Sequence, residues 1–218
     1  MDILEIELLT DNIEETSNFY SELLGFEKLH ADKKTISFKT GQSVLTFKQS
    51  NNLKPKYHFA FNIPNNKLDE AILWTSPKAK LLPTENGEVI ADFTNINAKS
   101  IYFYDNNGNI LEFIARFNLS NSSEEPFTIS SIQSISEIGI VSDAPIKLSE
   151  KLKQENDLSF CTNCFRSEKF IALGNDNGLF IIVLTNRHWY PTEMPAEKHF
   201  TKIKFRSNNQ TAEITVNE

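Results

Sequence analysis

Four ionisable residues sit inside runs that otherwise read as core. In IYFYDNNGNILEFIAR, residues 101–116, the acid Glu112 lies within the apolar run that follows an Asn-Gly pair. Glu5 and Glu7 interrupt ILEIELL, and His58 opens HFAFNIP. Carboxylates and an imidazole placed in strands either face solvent or meet across a site. Two carboxylates that meet without a cation resist joint ionisation, which raises one pKa. His30, flanking a turn, and His199, before a strand, read as surface residues. Cys161 and Cys164 form CTNC. A lone CxxC lacks the second ligand pair of a zinc site, so the two are read as incidental thiols, with a redox or metal role as the alternative. In NRHWYPT, residues 186–192, Trp189 and Tyr190 before Pro191 are expected to anchor a loop by packing in preference to stacking on a ligand.

The whole sequence limits which functions these groups can serve. Its 218 residues are 39% hydrophobic, enough for a packed core in one or two domains. Net charge is −7, with Lys and Arg dispersed, so no basic stripe exists to neutralise phosphates and nucleic acid is not an expected partner. MDILEIELLT is acidic and too short for a signal peptide, and no apolar run reaches membrane-spanning length. A soluble, cytoplasmic protein with no membrane partner is expected.

The elements that must position the candidate residues repeat along the chain. ILEIELL reads as a strand and TDNIEETSNFYSELLGF as a helix. Asp11 and Glu14 can form a capping box, Phe19/Leu23 and Tyr20/Leu24 make i,i+4 apolar pairs, and Gly25 sits where a C′ glycine belongs. Three short extended runs follow, giving β-α-β-β-β. The order recurs from YHFAFNIP through a helix that stops before Pro77 to a hairpin around Asn107-Gly108, a pair that supplies the positive φ angles of tight turns. ISEIGIVSDAPIKLSEKL then tracks the first opening, followed by a hairpin and one more strand, FTKIKFRS. The polar stretch NLSNSSEEPFTISSIQ between the second and third units reads as a linker.

Period-two alternation sorts each strand into two faces. Leu4, Ile6 and Leu8 suit the side under the helix, leaving Ile3, Glu5 and Glu7 opposite. Phe59, Phe61 and Ile63 oppose His58, Ala60 and Asn62. Leu45 and Phe47 oppose Val44, Thr46 and Lys48, and Leu111 and Phe113 oppose Ile110, Glu112 and Ile114. If the sheets curve toward each other, the face away from the helices lines a cleft.

The paired βαβββ units, NIEETSNFYSELLGF after the first strand and YDNNGNILEF late in the second unit resemble the vicinal oxygen chelate superfamily. That group contains glyoxalase I, extradiol ring-cleavage dioxygenases, and fosfomycin and bleomycin resistance proteins. The resemblance covers residues 1–118 and, more weakly, 134–218. It implies an α+β fold of paired βαβββ modules in a curved, cupped mixed sheet, with a third, incomplete module. The expected division is a two-module domain at 1–118, a linker at 119–133 and the truncated module at 134–218. The first two units are expected to pair with each other, and the third to pack broadly on that pair or on a second copy in a homodimer. A monomer in sedimentation removes the homodimer version.

Aligned on the family pattern, the metal-holding positions fall on Glu5, Thr46, His58 and Glu112. Thr46 is a poor ligand, so the implied metal set is Glu5, His58 and Glu112, with Glu112 also the catalytic residue. Glu7, Tyr102 and Tyr104 stay in reserve. The third unit offers Glu137 and Ile182 as counterparts and no evident His, so no site is assigned there. One imidazole and two carboxylates suit Fe²⁺, Mn²⁺ or Zn²⁺ and leave positions open for a chelating substrate. The resemblance therefore implies a metal-dependent lyase, isomerase or ring-cleavage dioxygenase acting on a small oxygenated substrate. The alternative is a metal-free small-molecule-binding protein of bleomycin-resistance type.

Overall fold

A computed structural model describes residues 1–51 and 53–217. The first unit comprises β1 (Asp2–Thr10), α1 (Ile13–Ser17) continued by a π-helical turn (Asn18–Leu23), β2 (Lys28–Ala31), β3 (Thr35–Thr40) and β4 (Ser43–Gln49). The second comprises β5 (His58–Ile63), α2 (Leu68–Thr75), β6 (Leu81–Leu82), β7 (Ala91–Phe93), β8 (Ala98–Tyr104) and β9 (Ile110–Arg116). The third comprises β10 (Ser134–Ser142), α3 (Pro145–Asn156), β11 (Phe170–Asn175) and β12 (Gly178–Leu184). A closing hairpin adds β13 (Thr201–Ser207) and β14 (Gln210–Val216). Among the described residues, no helix is long and apolar enough to cross a membrane.

Each unit joins its first and last strands in parallel: β1 with β4, β5 with β9, β10 with β12. The expectation that the first two units pair directly is corrected by the order β4-β1-β10-β5-β9, in which β10 lies between their leading strands. β10 runs antiparallel to β5 along most of its length but meets β1 at one register pair, Ile3 with Ile135. The hairpin instead occupies the flank of β1, with Glu5 opposite Lys204 and Glu7 opposite Lys202. The second unit thus closes on the third, and the first on the hairpin.

Alternation predicts the strand faces except at two bulges, where an extra residue flips the pattern. β1 shifts register between Ile3 and Glu5, so Ile3 joins Ile6 and Leu8 in the core while Leu4 is half-buried. β10 shifts at the equivalent place, sending Ile135, Ile138 and Ile140 to the core and Glu137 to the other face. Most of the phenylalanines fill the helix side; Phe59, Phe61, Phe103 and Phe113 are fully buried there. Each such side chain contributes about 2–3 kcal/mol of hydrophobic stabilisation.

The structure departs from the local signals at two turns. The cap of α1 is Asn12, whose side chain accepts from the backbone of Glu14 and Glu15, and not Asp11. In the β8–β9 connection only Gly108 has positive φ; Asp105 Oδ1 accepts the Asn107 and Asn109 N–H groups, making a five-residue loop where a two-residue turn was expected. The stretch between the second and third units is packed: Phe127 is buried against Trp74 and Phe113.

The β3–β4 turn rests on the chain entering β10, with Gln42 donating to the Gln133 carbonyl. Gly41 has φ +65° there, and a Cβ would fall 2.2 Å from that carbonyl oxygen. Gly41→Ala is therefore expected to lower stability by about 1–3 kcal/mol, the usual scale of such strain. Urea unfolding monitored by circular dichroism reads this directly, and an unchanged midpoint contradicts it.

Candidate functional site

β5, β9 and β10 carry the site. β5 pairs with β9 on one side and β10 on the other, so inward-facing residues on the three strands meet in a row. His58 starts β5, Glu112 is central in β9, and Glu137 follows the bulge in β10. One ligand atom from each lies within 4.8 Å of the other two, and all three residues are buried. They line a cavity of about 280 Å³ with Tyr102, Trp189 and Tyr190.

His58 is held in one tautomer by its surroundings. Its Nδ1 lies 3.1 Å from the Ile110 carbonyl oxygen, which can only accept, so Nδ1 carries the proton. Burial pushes the His58 pKa below its ordinary value, partly offset by the Glu137 charge. The ring is therefore neutral and Nε2 presents a lone pair to the site, 3.5 Å from Glu112 Oε2. Trp189 packs against this ring at a centroid distance of 5.2 Å, with Tyr102 at 6.2 Å. Gly139 makes that packing feasible, since a Cβ there would lie 2.6 Å from the Trp189 ring.

The two carboxylates are treated differently. Glu137 receives Nη2 of Arg116, a guanidinium only 1% exposed that also donates to Ser136 and reaches Asp176. Among the described residues, no lysine or arginine pairs with Glu112. Burial, followed by the charge of Glu137, pushes its carboxyl up to about 8, while Arg116 and the Ser100 and Tyr102 hydroxyls oppose the shift. The site thus favours a positive charge, from either a proton or a cation, beside Glu112.

His58 and Glu112 are brought together as the alignment implied; Glu5 is not with them. Glu5 accepts from Thr46 Oγ1 at 2.9 Å, and Glu7 pairs with Lys48 at 2.8 Å, both partners being on β4, the neighbour of β1 within its own unit. The reason is topological, because β5 pairs with β10 and not with β1. Glu137, the Glu5 counterpart in the repeated opening, takes that third place. Of the reserve tyrosines, Tyr102 is buried in the cavity wall and Tyr104 is 38% exposed at the strand end. His30 is exposed, as expected, whereas His199 is half-buried against Tyr57. Cys161 and Cys164, read as incidental thiols, are joined in a disulfide in the loop before β11, and Cys164 reaches the cavity wall. Arg116 and Arg187 were not anticipated; an Arg ending a buried strand is the one signal that could have pointed to Arg116.

No family model and no curated protein matches this sequence. Among solved structures, a candidate dioxygenase from Bacillus subtilis subsp. subtilis str. 168 matches with a TM-score of 0.64 and 14% identity, over 100% of this chain and 85% of that one. A glyoxalase/bleomycin resistance protein/dioxygenase from Alicyclobacillus acidocaldarius matches 53% of this chain over 92% of its own, at 15% identity and TM-score 0.43. A fosfomycin resistance protein from Listeria monocytogenes, solved with Mn(II), matches 52% of this chain over 87% of its own, at 19% identity and TM-score 0.42. The first of these covers the whole chain and shows a shared architecture.

The raised Glu112 carboxyl makes a signed prediction for chelator-treated protein. The native state holds this proton more tightly than the unfolded chain, whose Glu titrates at 4.5, so its stabilising contribution is complete below 4.5 and is lost as pH rises toward 8. Unfolding free energy should therefore fall between pH 6.5 and 8, and Glu112→Gln should flatten that slope. Denaturant titrations across this range check it; identical slopes refute it.

Proposed function

We propose, from the glyoxalase/bleomycin resistance/dioxygenase fold that this chain has, that the cup between its second and third units is a divalent-metal site for a small oxygenated substrate. The observation that carries the reading is the convergence of His58 Nε2 and the Glu112 and Glu137 carboxylates at the base of a cavity. The donor set fits such an ion. A neutral imidazole offers its lone pair, and a buried carboxylate that prefers protonation alone would be stabilised by a cation. One imidazole with two carboxylates suits Fe²⁺, Mn²⁺ or Zn²⁺. A bound ion would supply Lewis acidity toward a carbonyl or enediolate oxygen.

The protein's own contributions can be assigned separately. The Ile110 carbonyl fixes the His58 ring, and Arg116 holds one oxygen of Glu137 so that the other is free for the site. Trp189 and Tyr102 wall the base of the cup against water and keep the His58 ring in place. Glu112 is the catalytic candidate, because among the described residues it is the one of the two site carboxylates that no arginine holds. These features support a lyase, isomerase or ring-cleavage type of reaction without selecting one. A second reading, a metal-free binding protein, is favoured by Arg116, which already neutralises Glu137.

Elemental analysis after loading with Fe²⁺, Mn²⁺ or Zn²⁺ tests the reading. About one ion per chain is expected, with affinity reduced at least about tenfold in Glu112→Gln, as for loss of groups that support or form a metal shell. Glu5→Gln should bind as the parent does. No retained metal in purified or loaded protein overturns the metal reading and leaves the binding-protein reading.

A further inference from the structure

We propose that the ligand of this cup is a planar aromatic molecule bearing an acidic group, its rings between the aromatic walls and its anion on Arg187. The proposal rests on the reading of the cup as a binding site but not on the metal. The first observation is the lining. Phe93 and Tyr102 come from the second unit, and Phe165, Phe170 and Tyr190 from the third. Tyr190 meets Phe93 and Tyr102 edge-to-face at 5.9 and 5.6 Å, and Phe165 packs on Phe170 at 6.2 Å. Walls built of ring faces and edges favour a flat π-system, which gains about 0.5–1.5 kcal/mol per aromatic contact beyond area burial. At about 280 Å³ the space is at the small end of ligand cavities and suits one or two fused rings.

The second observation is Arg187. The chain has four arginines. Arg116, Arg166 and Arg206 each pair with a carboxylate, to Glu137, Glu150 and Asp2 respectively. Arg187 pairs with no carboxylate among the described residues, although it is half-buried in the cavity wall. Its guanidinium lies 5.0 Å from the Phe170 ring centroid, and Nη1 donates to the His188 carbonyl at 2.9 Å. A guanidinium has five N–H donors in a planar fork that matches a carboxylate or phosphate. A partly desolvated cation with donors to spare, set among aromatic rings, matches an acid carried on a ring. Of the two site carboxylates, Glu137 is already paired with Arg116.

The test uses the full chain after chelator treatment, with 2-naphthoate and its neutral counterpart 2-naphthamide as probes. Trp189 lies in the cavity wall, so quenching of tryptophan fluorescence reports binding there, and calorimetry gives affinity. 2-Naphthoate should bind at least about tenfold tighter than the amide, the scale of a charge-assisted hydrogen bond. Arg187→Gln should remove that preference by weakening 2-naphthoate at least about tenfold more than the amide, with Arg187→Lys restoring part of it. Unfolding curves of the variants establish that they fold. Equal affinity for acid and amide, absence of binding by both, or equal weakening of both by Arg187→Gln overturns the proposal. Failure of metal loading leaves these outcomes untouched, because no metal is present in the assay.

Discussion

The buried ion pair between Arg116 and Glu137 is the contact on which the site depends. Arg116 ends β9 and Glu137 lies on β10, with β5 between them, so the pair bridges the second and third units across an intervening strand. The same guanidinium reaches Ser136 and, in the β11–β12 turn, Asp176. Removing one partner from such a pair costs about 3–5 kcal/mol, because the other charge is stranded without water. Glu137 is held this way at 8% exposure, and its charge raises the Glu112 pKa and partly offsets the lowering of His58. One arginine thus fixes both the docking of the units and the electrical character of the cup.

The repeated opening shows why the cavity forms in one place and not in another. ILEIELL and ISEIGIV share the bulge and the glutamate after it, giving Glu5 and Glu137 the same local geometry. Two positions later they differ: β1 has Glu7 and β10 has Gly139. Gly139 leaves the room that the Trp189 ring occupies against His58. Glu7 instead pairs with Lys48 opposite a lysine-bearing hairpin strand. The Glu7 side chain is only 13% exposed there, while the Lys48 side chain keeps 46% of its surface in water. The first unit has the glutamate without a histidine partner, and the third unit borrows His58 and Glu112 from its neighbour.

Much of the fold was legible because its signals are local. Strand parity placed His58 and Glu112 on one face, Gly25 took its positive φ after the helical segment, and the units recurred in order. What failed was information carried by pairing. Nothing in ILEIELL says that β1 will flank a C-terminal hairpin, so Glu5 was matched with His58 when its counterpart Glu137 was the neighbour. FTKIKFRS is the last strand expected from the sequence, whereas QTAEITV forms one more, the outer strand of the closing hairpin. Arg116 ends an apolar strand and Arg187 follows one in a loop, but only the fold reveals that the first is paired with Glu137 and Asp176 and the second with no carboxylate among the described residues.

The motifs behind the resemblance prove to be structural. Tyr20 of the first helical segment donates to Asp105 Oδ2 at 2.7 Å, joining FY to the D of the β8–β9 loop across 85 residues. Both groups are buried; burial pushes the Asp105 carboxyl up to about 6 against the pull of Tyr20 and Asn109, so the loop geometry is held by bonds to its charged form. Asn106 and Asn107 extend the lock to Thr10 and Thr16. The latch lies away from the cup, and none of its residues lines the cavity, whose remaining wall comes from the loops after β12 and before β11. Arg187, Trp189, Tyr190 and Phe165 all lie there, beyond the elements that carry the resemblance, and they complete a wall that the strands begin with His58, Tyr102, Glu112 and Glu137.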